Sequence, residues 1–152
     1  MAAPVVTAEV VLDAIKARLD LIVGGANYNT NPSKAIGAPR GPIAEGVGEQ
    51  LYLEHVECAT NYEAAAAPHA ERATYHIWCV STDTVDGQRR ALRLARDVQK
   101  AVRSGFPAIE AAGATHGVAL DGYARDPQAE ERAGATVYSF RLTADWVVDL
   151  TA

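Results

Sequence analysis

Cysteine is scarce in this sequence: Cys58 and Cys79 are the only two, too few for a disulfide framework and not placed as a CxxC pair. That usage fits a reducing compartment. Long apolar runs are missing as well. The N-terminal stretch MAAPVVTAEVVLDAIKAR has neither the leading positive charge nor the unbroken apolar core of a secretory signal. Asp13, Lys16, Arg18 and Asp20 interrupt any span of about 20 apolar residues. The expectation is a soluble protein made in the cytoplasm, with no membrane partner.

Motifs that carry chemistry are equally sparse. Gly46-Val47-Gly48 lacks the third glycine of a dinucleotide fingerprint, and GxxxxGK[ST], HExxH, GxSxG and the EF-hand loop do not occur. Four histidines, at 55, 69, 76 and 116, are scattered along the chain. Glu130 and Glu131 are adjacent in a polar stretch, and neighbouring carboxylates there do not converge on one substrate. No catalytic residue, cofactor or metal is expected, and the chain reads as a non-enzyme. Cations are outnumbered, 14 Lys and Arg against 19 Asp and Glu, for a net charge of -5. General nucleic-acid binding, which rests on clustered cations, is therefore disfavoured.

What is present is enough to fold alone. At 152 residues, 49% hydrophobic and 22% charged, the chain has the length of a single domain, 1–152, that buries roughly 70% of its unfolded surface. Thr7 can cap a first helix whose Val11, Leu12, Ile15, Leu19 and Ile22 share one face, with Gly24-Gly25 ending it. Residues 24–48, GGANYNTNPSKAIGAPRGPIAEGVG, have no periodicity and read as a long irregular loop or arm. Two strands follow, Glu49 to Tyr62 and Ala73 to Thr82, joined through EAAAAPHAER. Beyond a central helix, Phe106 to Thr115 reads as a connection. His116 to Arg125 and Ala135 to Val148 form a second strand pair with DPQAEERAG as its solvent-projecting tip. In the last strand Tyr138, Phe140, Leu142, Ala144 and Trp146 alternate with polar or smaller neighbours and mark an inner face. The fold class is α+β: an antiparallel sheet with an N-terminal helix and a central helix packed on it, and a long irregular arm after the first helix.

The central helix, predicted over Thr82 to Gly105, is the most informative element. Ala91, Leu94, Ala95, Val98, Ala101 and Val102 recur at spacings of three and four and give one narrow apolar face. Thr82, Asp83 or Thr84 can cap its start, and Gly105-Phe106-Pro107 stops it. Opposite the apolar face, Arg89, Arg93, Arg96, Lys100 and Arg103 repeat at four, three, four and three, and line an exposed ridge. With Arg90, six of the 14 basic residues fall in this helix. The ridge admits three readings: a solvated face, a protein interface, or a nucleic-acid surface. Arginine favours interfaces because its planar guanidinium makes paired bonds to carboxylates, and the acid-rich remainder of the chain supplies them.

A hairpin centred near Ala67 would set His55 opposite Cys79 and Cys58 opposite His76. The odd separation within each His-x-x-Cys motif then sends its two residues to opposite faces, which argues against a zinc site and against a disulfide. Tyr75, Trp78, Tyr138 and Trp146 could line a pocket between helix and sheet, as a small-molecule-binding or enzymatic domain would need. Core filling is the simpler role for them.

The runs AEVVLDAIKARLDLI, ATYHIWCVSTDTVDGQRRALRLARDVQKAVRS and ATVYSFRLTADWVVD, in this order, resemble the tail terminator (tail completion) proteins of long-tailed phages. The resemblance covers most of the chain as a pattern of elements, with residues 24–48 unmatched. It implies a structural virion protein that assembles with itself into a homo-oligomeric, typically hexameric, ring at the head-proximal end of the tail. Such a ring ends polymerisation of the major tail-tube protein, serves head-tail joining by meeting the connector proteins, and lets DNA pass through its lumen without specific binding. Another neck or head-completion role is the related alternative.

Overall fold

The computed structural model describes residues 6–43, 48–60, 69–113 and 117–148. The element order is α1 (Thr7–Asp20), β1 (Ser33–Ile36), β2 (Glu49–Thr60), β3 (His69–Ser81), α2 (Gly87–Ser104), α3 (Phe106–Gly113), β4 (Gly117–Leu120), β5 (Ala124–Arg125), α4 (Pro127–Ala133) and β6 (Thr136–Val148). The class is α+β, as the sequence predicts. The sheet runs β1-β2-β3-β6-β4, with β5 also paired to β6, and every pairing except the parallel β1–β2 is antiparallel.

Period-two patterning decides which sheet face carries which layer. Tyr138, Phe140, Leu142, Ala144 and Trp146 of β6 join Ala73, Tyr75, Ile77 and Cys79 of β3 beneath the helices. Val11, Ile15 and Leu19 of α1 close over them, with Ile109 of α3 and the whole predicted apolar face of α2, whose six residues are fully buried. Burial of each larger aliphatic there contributes roughly 1.5–3 kcal/mol. The opposite face is thinner: Trp78, Val80 and Val137 pack under Ala129 and Ala133 of α4 and under Ala38 and Ile43 of the arm.

Several boundaries differ from the sequence reading. α1 begins without a side-chain cap from Thr7, its N-cap being Val6. α2 starts at Gly87, five residues after Thr82, because Asp83 Oδ1 accepts the Val85 and Asp86 amides and holds a turn before the helix. Gly105 does end α2, but Phe106-Pro107 opens α3 where a connection was expected. The DPQAEERAG tip is also a helix, α4. Asp126 caps it by accepting from Ala129 N at 3.1 Å, Pro127 occupies its first turn, and Gly134 ends it at φ 63°, a left-handed position. It folds back onto the sheet instead of projecting, since Ala129 and Ala133 are buried. The predicted strand from His116 to Arg125 is two short ones, β4 and β5.

The arm contains an element with no period to announce it. Its four-residue β1 lies parallel to β2, from Ser33↔Gln50 to Ile36↔Leu53. The hairpin register is also shifted. His55 lies opposite Tyr75, four residues short of the expected Cys79, and Cys58 lies opposite Ala73, three short of His76. The expected turn EAAAAPHAER lies mostly outside the described residues, as do His116 and most of Gly46-Val47-Gly48.

Candidate assembly surface

The buried face of α2 dictates where its cations point. With Ala91, Leu94, Val98 and Ala101 fixed against the sheet, Arg89, Arg93, Arg96, Lys100 and Arg103 are all exposed. Small residues let the helix sit close, and the C-terminal end is locked by Arg18 of α1. Its guanidinium donates to Ala101 O and Ser104 Oγ, each at 3.0 Å.

The ridge is not uniform. Its N-terminal third has carboxylates of the same chain beside it: Arg89 Nε is 3.9 Å from Asp86 Oδ1, and the neighbouring Arg90 lies 3.5 Å from both Glu49 Oε1 and Asp83 Oδ2. Hydrogen bonds from the backbone of Asp86 and Val85, and then the charge of Arg90, hold the Asp83 carboxyl below its usual range. Arg93, Arg96 and Arg103 form no ion pair among the described residues. Lys100 is turned toward the arm, donating to Asn27 O and lying 4.9 Å from the Tyr28 ring centroid.

Between the arm and the C-terminal half of α2 this leaves a cleft of about 350 Å³, with Asn27, Asn29, Arg96, Gln99, Lys100 and Arg103 around it. Its floor is organised by Asp97, which the sequence reading did not single out. Asp97 is 2% exposed, and its carboxylate accepts from Asn29 N, Thr30 N at 2.9 Å and Thr30 Oγ1 at 2.6 Å. Those oxygens face the arm backbone, so the rim is cationic despite the buried acid. The available signal was positional: residue 97 falls three after Leu94 and four before Ala101, on the border of the apolar face.

Elsewhere the structure revises two readings. A β-bulge between His55 and Glu57 adds a residue to β2, so the parity argument fails for the first His-x-x-Cys motif. His55 Nε2 is 3.2 Å from Cys58 Sγ, and both stand on the helix-covered face. Burial, and then the neighbouring Glu71 carboxylate, pushes the Cys58 thiol up to about 11. Among the described residues no group of three His, Cys, Asp or Glu side chains is arranged to hold a metal. The bulge also puts Cys58 on the same face as Cys79, but the residue opposite Cys58, Ala73, is six positions along β3 from Cys79, roughly 20 Å. Both thiols are free. The four aromatics do not share a pocket: Tyr75, Tyr138 and Trp146 belong to the core beneath the helices, whereas Trp78 lies on the other face against α4. Tyr75 donates its hydroxyl to Ala8 O, and Trp78 Nε1 donates to Asp126 Oδ2.

No protein-family model matches the sequence, and no curated protein matches it. Among solved structures the chain is similar to the sheath/tube terminator of an extracellular contractile injection system, PVC, in its extended state, with a TM-score of 0.45 and 12% identity. The match covers 98% of this chain and 58% of that one, so the chain spans somewhat over half the length of that protein. No helix among the described residues is long and apolar enough to cross a membrane.

Proposed function

We propose that this chain is the structural subunit of a tail-terminating ring, a closed homo-oligomer of about six copies that caps a tail tube and ends its polymerisation. The observation that carries the reading is the divided ridge of α2: Arg93, Arg96 and Arg103 stand exposed without an ion pair among the described residues, on a chain whose net charge is -5. Oriented cations on an acidic body select a partner and its orientation more than they add affinity. A head-to-tail contact between different patches of identical subunits closes into a ring when its rotation divides a full turn.

In this reading the major tail-tube protein is bound on one side of the ring and the head connector on the other, at the head-proximal end of the tail in the virion. The acidic remainder of the subunit lets DNA pass without specific binding. The protein is made in the host cytoplasm and performs no catalysis. Size-exclusion chromatography with light scattering, followed by negative-stain imaging, tests the reading. Rings that bind purified tail-tube protein are expected. A stable monomer at high concentration with no affinity for tail-tube protein overturns it.

A further inference from the structure

Beside the open cleft, the sheet carries a second feature that its own subunit leaves unmatched. β1 ends opposite Leu53, so from Glu54 to Thr60 the outer edge of β2 has no neighbouring strand among the described residues. The bulge in this stretch has a specific effect on charge. Glu54 lies opposite His76, and Glu57, displaced by the extra residue, lies opposite Thr74. Both positions of β3 belong to the face away from α1 and α2. Without the bulge, strict alternation would turn Glu57 to the helix side. Two carboxylates are thereby presented together along an open edge, and neither has a cation partner among the described residues.

We infer that the cleft formed by the arm and the C-terminal half of α2 receives the Glu54–Glu57 stretch of β2 from a second copy of this chain. The inference rests on the ring reading and gives it a contact. Among the described residues, Arg96 and Arg103 at the cleft form no ion pair, the Asp97 carboxylate being turned to the arm, and Glu54 and Glu57 at the open edge form none either. The cleft belongs to the helix layer and Glu54 and Glu57 to the opposite sheet face, so the two patches of one subunit cannot satisfy each other. Between copies they make a heterologous contact, the kind that closes into rings. Guanidinium–carboxylate pairs set its orientation. The backbone groups of the β2 edge that have no strand partner among the described residues leave water in the same step, facing the polar Asn27 and Asn29 of the arm.

A reciprocal charge exchange tests the pairing. Arg96→Glu with Arg103→Glu, and separately Glu54→Arg with Glu57→Arg, should each reduce the light-scattering mass to that of one subunit while circular dichroism stays that of the folded chain. An equimolar mixture should recover the wild-type mass, because every contact between unlike copies again joins opposite charges. Either variant assembling alone as the wild type does overturns the inference, and so does a mixture of folded variants that stays monomeric. In both cases an assembling wild type leaves the ring reading standing. A wild type that is itself monomeric overturns both. Loss of duplex-DNA retention by the Arg96/Arg103 variant with its ring intact would assign the cleft to phosphate and overturn the carboxylate pairing.

Discussion

Asp97 shows how one carboxylate can organise a loop. A charged acceptor facing several donors makes bonds about twice as strong as neutral ones, and removing it leaves the buried Thr30 amide and the part-buried Asn29 amide without this partner. Asp97→Asn keeps the shape but turns an NH2 group toward the Asn29 and Thr30 amides, which already donate to this site. The expected cost is about 1–3 kcal/mol, read from the urea midpoint. The arm should loosen first, so Asn29 and Thr30 should lose hydrogen-exchange protection before the β3 amides do. Unchanged protection at both positions would show that the arm is held by its other contacts, Lys34 Nζ to Ile22 O and Gly37 N to Leu53 O. Cys58 presents the reverse case, a surface cysteine that should be sluggish. Alkylation needs the thiolate, and burial together with Glu71 raises the thiol to about 11. The iodoacetamide rate should therefore stay low at pH 8 and climb tenfold per unit toward pH 11. Glu71→Gln should shift that profile to lower pH. A plateau reached by pH 9 in the wild type would contradict the placement of Glu71 beside the sulfur.

At the scale of elements, the two helices missing from the sequence reading have different explanations. α4 was legible: Asp126, Pro127 and Gly134 are a cap, a first-turn proline and a left-handed stop in the order that brackets a helix. Its seven residues were too few and too polar for periodicity to outweigh the look of a hairpin tip. α3 starts where Gly105 ends α2, and that junction is set by a neighbour distant in sequence. A Cβ on Gly105 would lie 2.1 Å from Arg18 Nε, so the glycine makes room for the arginine that closes α2. No local pattern announces such a contact. The cap of α4 gives the sharper test because Asp126 also accepts from Trp78 Nε1 at 3.2 Å. Asp126→Ala removes a cap worth about 1 kcal/mol and leaves the indole N–H without its partner, so the total loss should reach about 2 kcal/mol. Thermal unfolding should show the loss, and Trp fluorescence should shift to the red as α4 lifts from the sheet. A loss no larger than the cap alone would mean that Trp78 finds another acceptor.

For the whole molecule, the sequence exposes the layer plan and hides the pairing. The period-two face of β6 and the three-and-four face of α2 name nearly half of the core that lies between sheet and helices, because burial repeats with the geometry of each element. The register of β2 on β3 depends on a bulge that composition does not fix, and it decides that Glu54 and Glu57 share a face. The ridge residues were visible as a charge pattern, yet only the fold separates Arg89, paired with Asp86, from Arg96 and Arg103 at the cleft. Under the proposed pairing between copies, this division predicts how assembly should respond to salt. A contact held in orientation by guanidinium–carboxylate pairs weakens as the Debye length falls from about 10 Å at 0.1 M to about 3 Å at 1 M. The subunit itself is held by an apolar core that screening does not weaken. Raising sodium chloride from 0.1 to 1 M should therefore shift the light-scattering mass toward the single subunit with the far-ultraviolet dichroism unchanged. Arg96→Lys with Arg103→Lys should move the transition to lower salt, since a point charge lacks the paired geometry of arginine. Rings that persist at 1 M salt would locate the binding energy in exposed apolar residues such as Val56 and Ile36 near the β2 edge, and the charges would then govern only the rate of encounter.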